Sequence, residues 1–170
     1  MNRRDAIKQV AMASTALLLW PGCNTVEVPK YAKIPLDRKK WKHLQQFAEA
    51  ILPVNHELYP TLEPRAIYVL NIINDCTPQK EVESFNTGLQ KFEIFLDENY
   101  RKSLDGFSEA ELDQLFTDLE HAATEDNDLA HFIVTTRNLA KQHFTTSEKH
   151  LTEQLEFQFI PGTYLGCVTI

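Results

Sequence analysis

The sequence predicts an all-α fold, a single-domain helical bundle of about five to six helices with an irregular C-terminal tail. Apolar residues recur at three- and four-residue spacings through most of the chain, which is the period of a helix with one buried face. Prolines and capping residues break these stripes at intervals that suit short connections. Five glycines and eight prolines in 170 residues are too few for a turn-rich β fold or for low-complexity disorder.

The chain opens with Asn2-Arg-Arg-Asp-Ala-Ile-Lys8, followed by an uncharged run of eleven residues, Val10 to Trp20. Such a run is too short to cross roughly 30 Å of hydrocarbon as a helix. Basic residues, then a short apolar stretch, then small residues describe an export signal. The pair Arg3-Arg4 resembles the twin-arginine signal, an address read on cargo that crosses the membrane folded; Ala6 stands where that signal usually has Phe. Leu19-Trp-Pro-Gly-Cys23 resembles the lipobox of bacterial lipoproteins, in which cleavage precedes a cysteine that becomes acylated, although Trp20 replaces the common Leu. Residues 1–22 are therefore expected to be a signal peptide of twin-arginine or lipoprotein type, with Cys23 as the lipidation site; an export leader with an ordinary small-residue cut is the other reading. Residues 23–38 read as an extended tether, because Pro29 and Pro35 forbid a continuous helix.

The helical domain is expected over 39–170. In Lys39 to Leu52, the residues Trp41, Leu44, Phe47, Ala48, Ile51 and Leu52 form one stripe, and Pro53 ends it. Pro64 suits the first turn of a second helix. Its apolar positions from Ala66 to Ile73 cover most of the circumference, so it is expected to be the most buried helix. Pro78 starts a third, where Val82, Phe85, Leu89, Phe92 and Leu96 suit packing against a neighbour at a shallow angle. Gly88 lies inside this helix at a cost of roughly 1 kcal/mol relative to Ala, which a close approach by another backbone would explain. Ser108-Glu-Ala-Glu111 is a capping-box pattern opening a fourth helix with Leu112, Leu115, Phe116 and Leu119. The acidic connection 124–128 places negative charge at the positive end of a fifth helix, which presents Leu129, Phe132, Ile133, Thr136, Leu139, Ala140 and His143. A short sixth helix begins near Thr146-Ser147-Glu148. The tail from Phe157 to Ile170 is irregular yet apolar, and needs its own domain or a partner to cover it.

The net charge is −7, and removal of a leader with three cations against one carboxylate leaves the mature part near −9. That balance makes nucleic acid and anionic lipid poor partners on average. With Cys23 acylated, Cys76 and Cys167 remain as an even pair in an oxidising compartment. Either they form a disulfide, or they are two separate buried thiols, or one serves an intermolecular bond or a metal. No glycine-rich phosphate loop, dinucleotide fingerprint, nucleophile elbow, HExxH or CxxC occurs. The six histidines stand at 43, 56, 121, 131, 143 and 150, never three or four apart, so no helix face offers two imidazoles to one metal. His143 and His150 would converge only through a bend. Asp97 and Asn99 begin a calcium-loop pattern that fails at Arg101 and Lys102, where oxygen and glycine are required. No catalytic, cofactor-binding or metal residue is assigned, and the residues read as those of a binding or structural component.

Several stretches together resemble one family. They are the Arg3-Arg4 leader, Phe47-Ala-Glu-Ala-Ile-Leu-Pro53, Phe85-Asn-Thr-Gly-Leu89, Gly106-Phe107 before a capped helix, Phe144-Thr-Thr-Ser-Glu148 and Ile160-Pro-Gly-Thr-Tyr-Leu-Gly-Cys167. In order and spacing they are similar to the gluconate 2-dehydrogenase subunit 3 family, over about residues 39–170 plus the leader; the family's usual Gly-Ala after the first Ile-Pro turn is replaced by Asn55-His-Glu-Leu-Tyr59. The resemblance implies a non-catalytic small subunit of a periplasmic flavin dehydrogenase acting on sugars, sugar acids or polyols. It implies a large subunit of the glucose-methanol-choline oxidoreductase type that carries FAD, often a cytochrome c subunit as electron acceptor, and a role in maturation and export of the FAD-loaded partner. Phe157, Phe159, Pro161 and Tyr164 are the candidate partner-binding residues, Tyr164 as an aromatic anchor. The alternative is an envelope lipoprotein that binds some other protein.

Overall fold

The computed structural model describes residues 28–52, 63–100, 104–155 and 157. Helices make up 80% of these residues and no strand occurs among them. Six α-helices follow one another: α1 (Arg38–Ile51), α2 (Arg65–Cys76), α3 (Gln79–Asn99), α4 (Glu109–Glu125), α5 (Asn127–Thr145) and α6 (Glu148–Gln154), with a 3₁₀ turn at Leu104–Gly106. The all-α expectation holds.

Each helix starts where the sequence supplies a stop for free N–H groups. The Asp37 side chain accepts from the Lys40 N–H at 2.8 Å and caps α1. Pro64 and Pro78 occupy the cap positions of α2 and α3 with ψ of 133° and 145°. The expectation that Pro64 lies in the first turn is thus off by one residue: its extended ψ places it before the helix, where its missing N–H costs nothing. The capping box at α4 is complete, with Ser108 accepting from the Glu111 N–H and the Glu111 carboxylate accepting from the Ser108 N–H. The acidic connection shrinks to Asp126, which caps α5 by accepting from the N–H groups of Asp128 and Leu129. Ser147 caps α6.

α5 is the centre of the bundle, packing against α1, α2, α3, α4 and α6. Its Phe132 is fully buried, with ring centroids 5.7 Å from Phe47 of α1 and 5.2 Å from both Phe85 and Phe92 of α3. Tilted and stacked rings at these separations add about 0.5–1.5 kcal/mol per pair beyond the area they bury. α2 buries one stripe, Arg65, Ala66, Val69, Leu70 and Ile73, while Ile67 and Ile72 remain partly exposed. Its apolar breadth therefore overstates its burial.

The closest helix contact is at Gly88. A Cβ there would lie 2.2 Å from the Asp128 carbonyl oxygen and 2.6 Å from Phe132 Cβ, so only glycine lets α3 meet the first turn of α5 at this distance. The backbone approach expected from the sequence is present. Polar contacts flank it: Ser84 Oγ donates to Asp128 at 2.7 Å, and Lys91 Nζ donates to Asp126 and Asp128 at 2.8 and 3.0 Å. Residues 28–37 lie extended on the helices. Tyr31 donates to Asn71, the Lys33 N–H donates to Asn74, Asn86 donates to the Lys33 carbonyl, and Ile34 is buried.

Candidate functional site

The end of the bundle from which α6 departs is organised by a buried cation. Arg65 opens α2, where the positive end of the helix dipole disfavours it. Its justification is tertiary: the side chain is fully buried and Nη1 donates to the Ala140 carbonyl of α5 at 3.3 Å. Burial lowers its pKa and the Glu49 carboxylate of α1 opposes that change. One turn beyond Ala140, the His143 ring stacks on Tyr68 of α2, with centroids 4.8 Å apart and planes at 29°. Glu63 lies 3.6 Å from His143 Nε2. Burial lowers the His143 pKa, the Arg65 charge lowers it further, and Glu63 acts the other way, so the ring is neutral near pH 7. The arrangement locks α2 to the last turns of α5. It holds helices in register and offers no exposed nucleophile.

Past this lock the surface becomes apolar. Leu155 is 61% exposed and Phe157 50% exposed, with the Phe157 N–H donating to the Leu151 carbonyl at 3.0 Å so that the chain folds back on the end of α6. Of the four residues expected to bind a partner, Phe157 is thus on the surface; Phe159, Pro161 and Tyr164 lie outside the described residues. Arg3, Arg4, Cys23 and Cys167 also lie outside them. Cys76, the last residue of α2, is exposed. The reading of it as a buried thiol is therefore incorrect, because the helix has left the core by that point.

His143 and His150 take different ring partners. His143 lies on Tyr68, whereas His150 packs on Phe144 at 4.9 Å. His43 Nδ1 is 3.8 Å from Glu93 between α1 and α3, a largely buried pair in which burial lowers the histidine and raises the carboxyl. Among the described residues no group of three or more His, Cys, Asp or Glu side chains is placed to hold a metal. No described helix is long and apolar enough to cross a membrane. A cleft of about 260 Å³ opens beside α1 between Arg38, Trp41, Lys42, Glu49 and Asp105; its mixed charges, with Lys42 and Asp105 3.6 Å apart, leave little net field for an ionic ligand.

The family model for gluconate 2-dehydrogenase subunit 3 matches residues 38–162, from the first residue of α1 to the glycine after Pro161. The chain belongs to the gluconate 2-dehydrogenase subunit 3 family. Comparisons with curated proteins and with solved structures gave no match. As a subunit 3 protein, the chain is an accessory component of a gluconate 2-dehydrogenase-like complex. Sequence reasoning did not find Arg65, although a signal was there: Arg65, Val69 and Ile73 share one helix face, so the cation stands on an apolar stripe.

Proposed function

We propose that this protein is the non-catalytic small subunit of a periplasmic, FAD-dependent dehydrogenase of the glucose-methanol-choline type, acting on a sugar, sugar acid or polyol. In this reading FAD resides in the large subunit, a cytochrome c subunit takes the electrons, and the small subunit supports maturation and twin-arginine export of the loaded partner. The observation that carries it is membership of the subunit 3 family over 38–162. The Arg3-Arg4 leader supports folded-cargo export, and Leu19-Trp-Pro-Gly-Cys23 supports acylation of Cys23, which would hold the complex at the cell envelope membrane. The exposed Leu155 and Phe157 supply apolar surface next to the tail for a partner to cover.

The test is purification of the tagged protein, with its own leader, from native cells, followed by an absorption spectrum and mass spectrometry of what accompanies it. A flavin spectrum with a large oxidoreductase subunit is expected. A colourless acylated protein without a flavoprotein would replace this reading with that of an envelope lipoprotein serving another partner. The combined Arg3→Lys and Arg4→Lys leader separates export from assembly: the flavoprotein should then remain in the cytoplasm. Its normal export would remove the escort role while leaving the subunit role intact.

A further inference from the structure

Residues 28–37 form a strap across the helices. Ile34 is 1% exposed and lies in the core, and Val28, Tyr31 and Leu36 pack against that core partly buried. Three hydrogen bonds pin the strap to two helices: the Tyr31 hydroxyl donates to Asn71 of α2 at 2.9 Å, the Lys33 N–H donates to Asn74 of α2 at 3.1 Å, and Asn86 of α3 donates to the Lys33 carbonyl at 3.0 Å. By Val28, ten residues ahead of α1, the chain already belongs to the folded body.

The order of these contacts gives the strap a direction. Tyr31 meets α2 at Asn71 and Lys33 meets it three residues later at Asn74, so the chain arrives alongside α2 from the Arg65 end of that helix. It then passes Asn86 of α3 and continues to α1, whose Lys39 pairs with Asp97 near the end of α3. The electrostatics of Tyr31 agree with this course: burial, then the Asp75 carboxylate, then the Glu63 carboxylate raise its pKa. Glu63 stands just before Arg65, 3.6 Å from His143, at the end from which α6 departs. The strap therefore begins toward that same end.

We propose that this strap moors the bundle end-on: with Cys23 acylated, as the lipoprotein reading above has it, the end from which α6 departs stands at the membrane surface. Val28 follows Cys23 by five residues, a reach of at most about 18 Å even when fully extended. A free tether as far as Asp37, fourteen residues after Cys23, would reach about 50 Å and let the bundle turn any face to the lipid. The strap removes most of that freedom. It keeps the Arg65 end of α2 near the headgroups, while the Cys76 end lies roughly 16 Å further along the helix. The mooring is covalent and needs no net charge on the protein. The exposed Leu155 and Phe157 follow α6 at the moored end, so a partner that covers them does so beside the bilayer.

The test places a fluorophore at either end of the protein, made with its own leader in cells that acylate lipoproteins and reconstituted into phosphatidylcholine vesicles that carry a headgroup-linked quencher. One protein is labelled at the exposed Cys76 in a Cys167→Ser background. The other is labelled on α6 through Glu153→Cys, an exposed position, with Cys76→Ser and Cys167→Ser. Quenching is expected to be stronger on α6 than at Cys76, at low and high salt alike because the attachment is covalent, with unchanged helix content by circular dichroism. Inserting about ten glycine and serine residues between Glu27 and Val28 leaves the strap in place but lengthens the free tether, and should abolish the difference. Equal quenching at the two sites, stronger quenching at Cys76, or a difference that survives the insertion overturns the proposal. The mass of the N-terminal fragment reports acylation separately: an unacylated chain removes the lipoprotein reading and the mooring together, whereas an acylated chain with equal quenching removes the mooring alone.

Discussion

Replacing Gly88 by alanine tests the central packing of the bundle with one carbon atom. Two effects oppose each other. Alanine in the interior of α3 is favoured over glycine by about 1 kcal/mol through backbone entropy. Its Cβ, however, would lie 2.2 Å from a backbone oxygen of α5 and 2.6 Å from Phe132 Cβ, and neither atom can swing aside like the end of a flexible side chain. Relief requires α3 and α5 to separate by about 1 Å, which loosens the Phe85, Phe92 and Phe132 contacts and stretches the Ser84 and Lys91 bonds to Asp128. Overpacking of a close-packed interior costs about 1–3 kcal/mol, and this site belongs at the upper end because a backbone atom is involved. The expected net loss is about 2 kcal/mol, or roughly 4–8 °C in melting temperature for a domain of this size. Thermal melts followed by circular dichroism read it directly, with Gly106→Ala as the control, since a Cβ at Gly106 meets nothing within 4 Å. A Gly88→Ala protein that melts at or above the wild type would refute the reasoning, because helix propensity would then outweigh a contact that is not as close as described.

Phe132→Ala is expected to cost about 3–5 kcal/mol, because the fully buried ring touches rings from α1 and α3 at once; urea titration should show either this loss or no folded protein, while Phe132→Leu retains the fold. Ser108→Ala removes the capping box of α4 and should cost about 1 kcal/mol by the same assay. Stability should fall as pH drops below about 6.5: burial depresses the folded-state pKa of His43 and His143, so below that pH the unfolded chain binds protons that the folded one refuses. Glu93, raised by burial, favours its proton in the folded state and opposes this trend in the more acidic range. The informative quantity is therefore the difference between wild type and His143→Gln, whose stability should decline less from pH 7 to pH 5.5; superimposable profiles would show that His143 does not contribute.

The five longer helices were legible because each was marked twice, by an apolar stripe and by a residue able to satisfy or omit its first N–H groups, whereas α6 carried only the second mark. Asp37, Pro64, Pro78, Ser108, Asp126 and Ser147 all stand one residue before a helix. Gly88 was legible as a penalty in need of a reason. What local periodicity does not contain is which stripe faces which. Arg65 and Ala140 are 75 residues apart, and no spacing rule links a cation at one helix start to a carbonyl on another helix. The breadth of apolar positions on α2 suggested the most buried helix, whereas the centre is α5, whose lower hydrophobicity is offset by neighbours on every side. Cys76 continues the stripe of Val69 and Ile73 in sequence, yet the stripe outlasts the core it packs on, so the thiol ends in solvent.

The position of α5 in the chain sets when the protein can fold. The helix that closes the core is complete only at Thr145, after α1, α2, α3 and α4 have been made. Until then Phe47, Phe85 and Phe92 lack the ring that packs between them. At about 5–20 residues per second, the interval between synthesis of α1 and completion of α5 is roughly 5–20 s, during which a nascent chain carries uncovered apolar stripes. Folding is then a late event that follows nearly complete synthesis, and a shortened product ending before Asn127 has no route to a closed core. Anything that recognises the folded domain meets it after translation, as a finished unit.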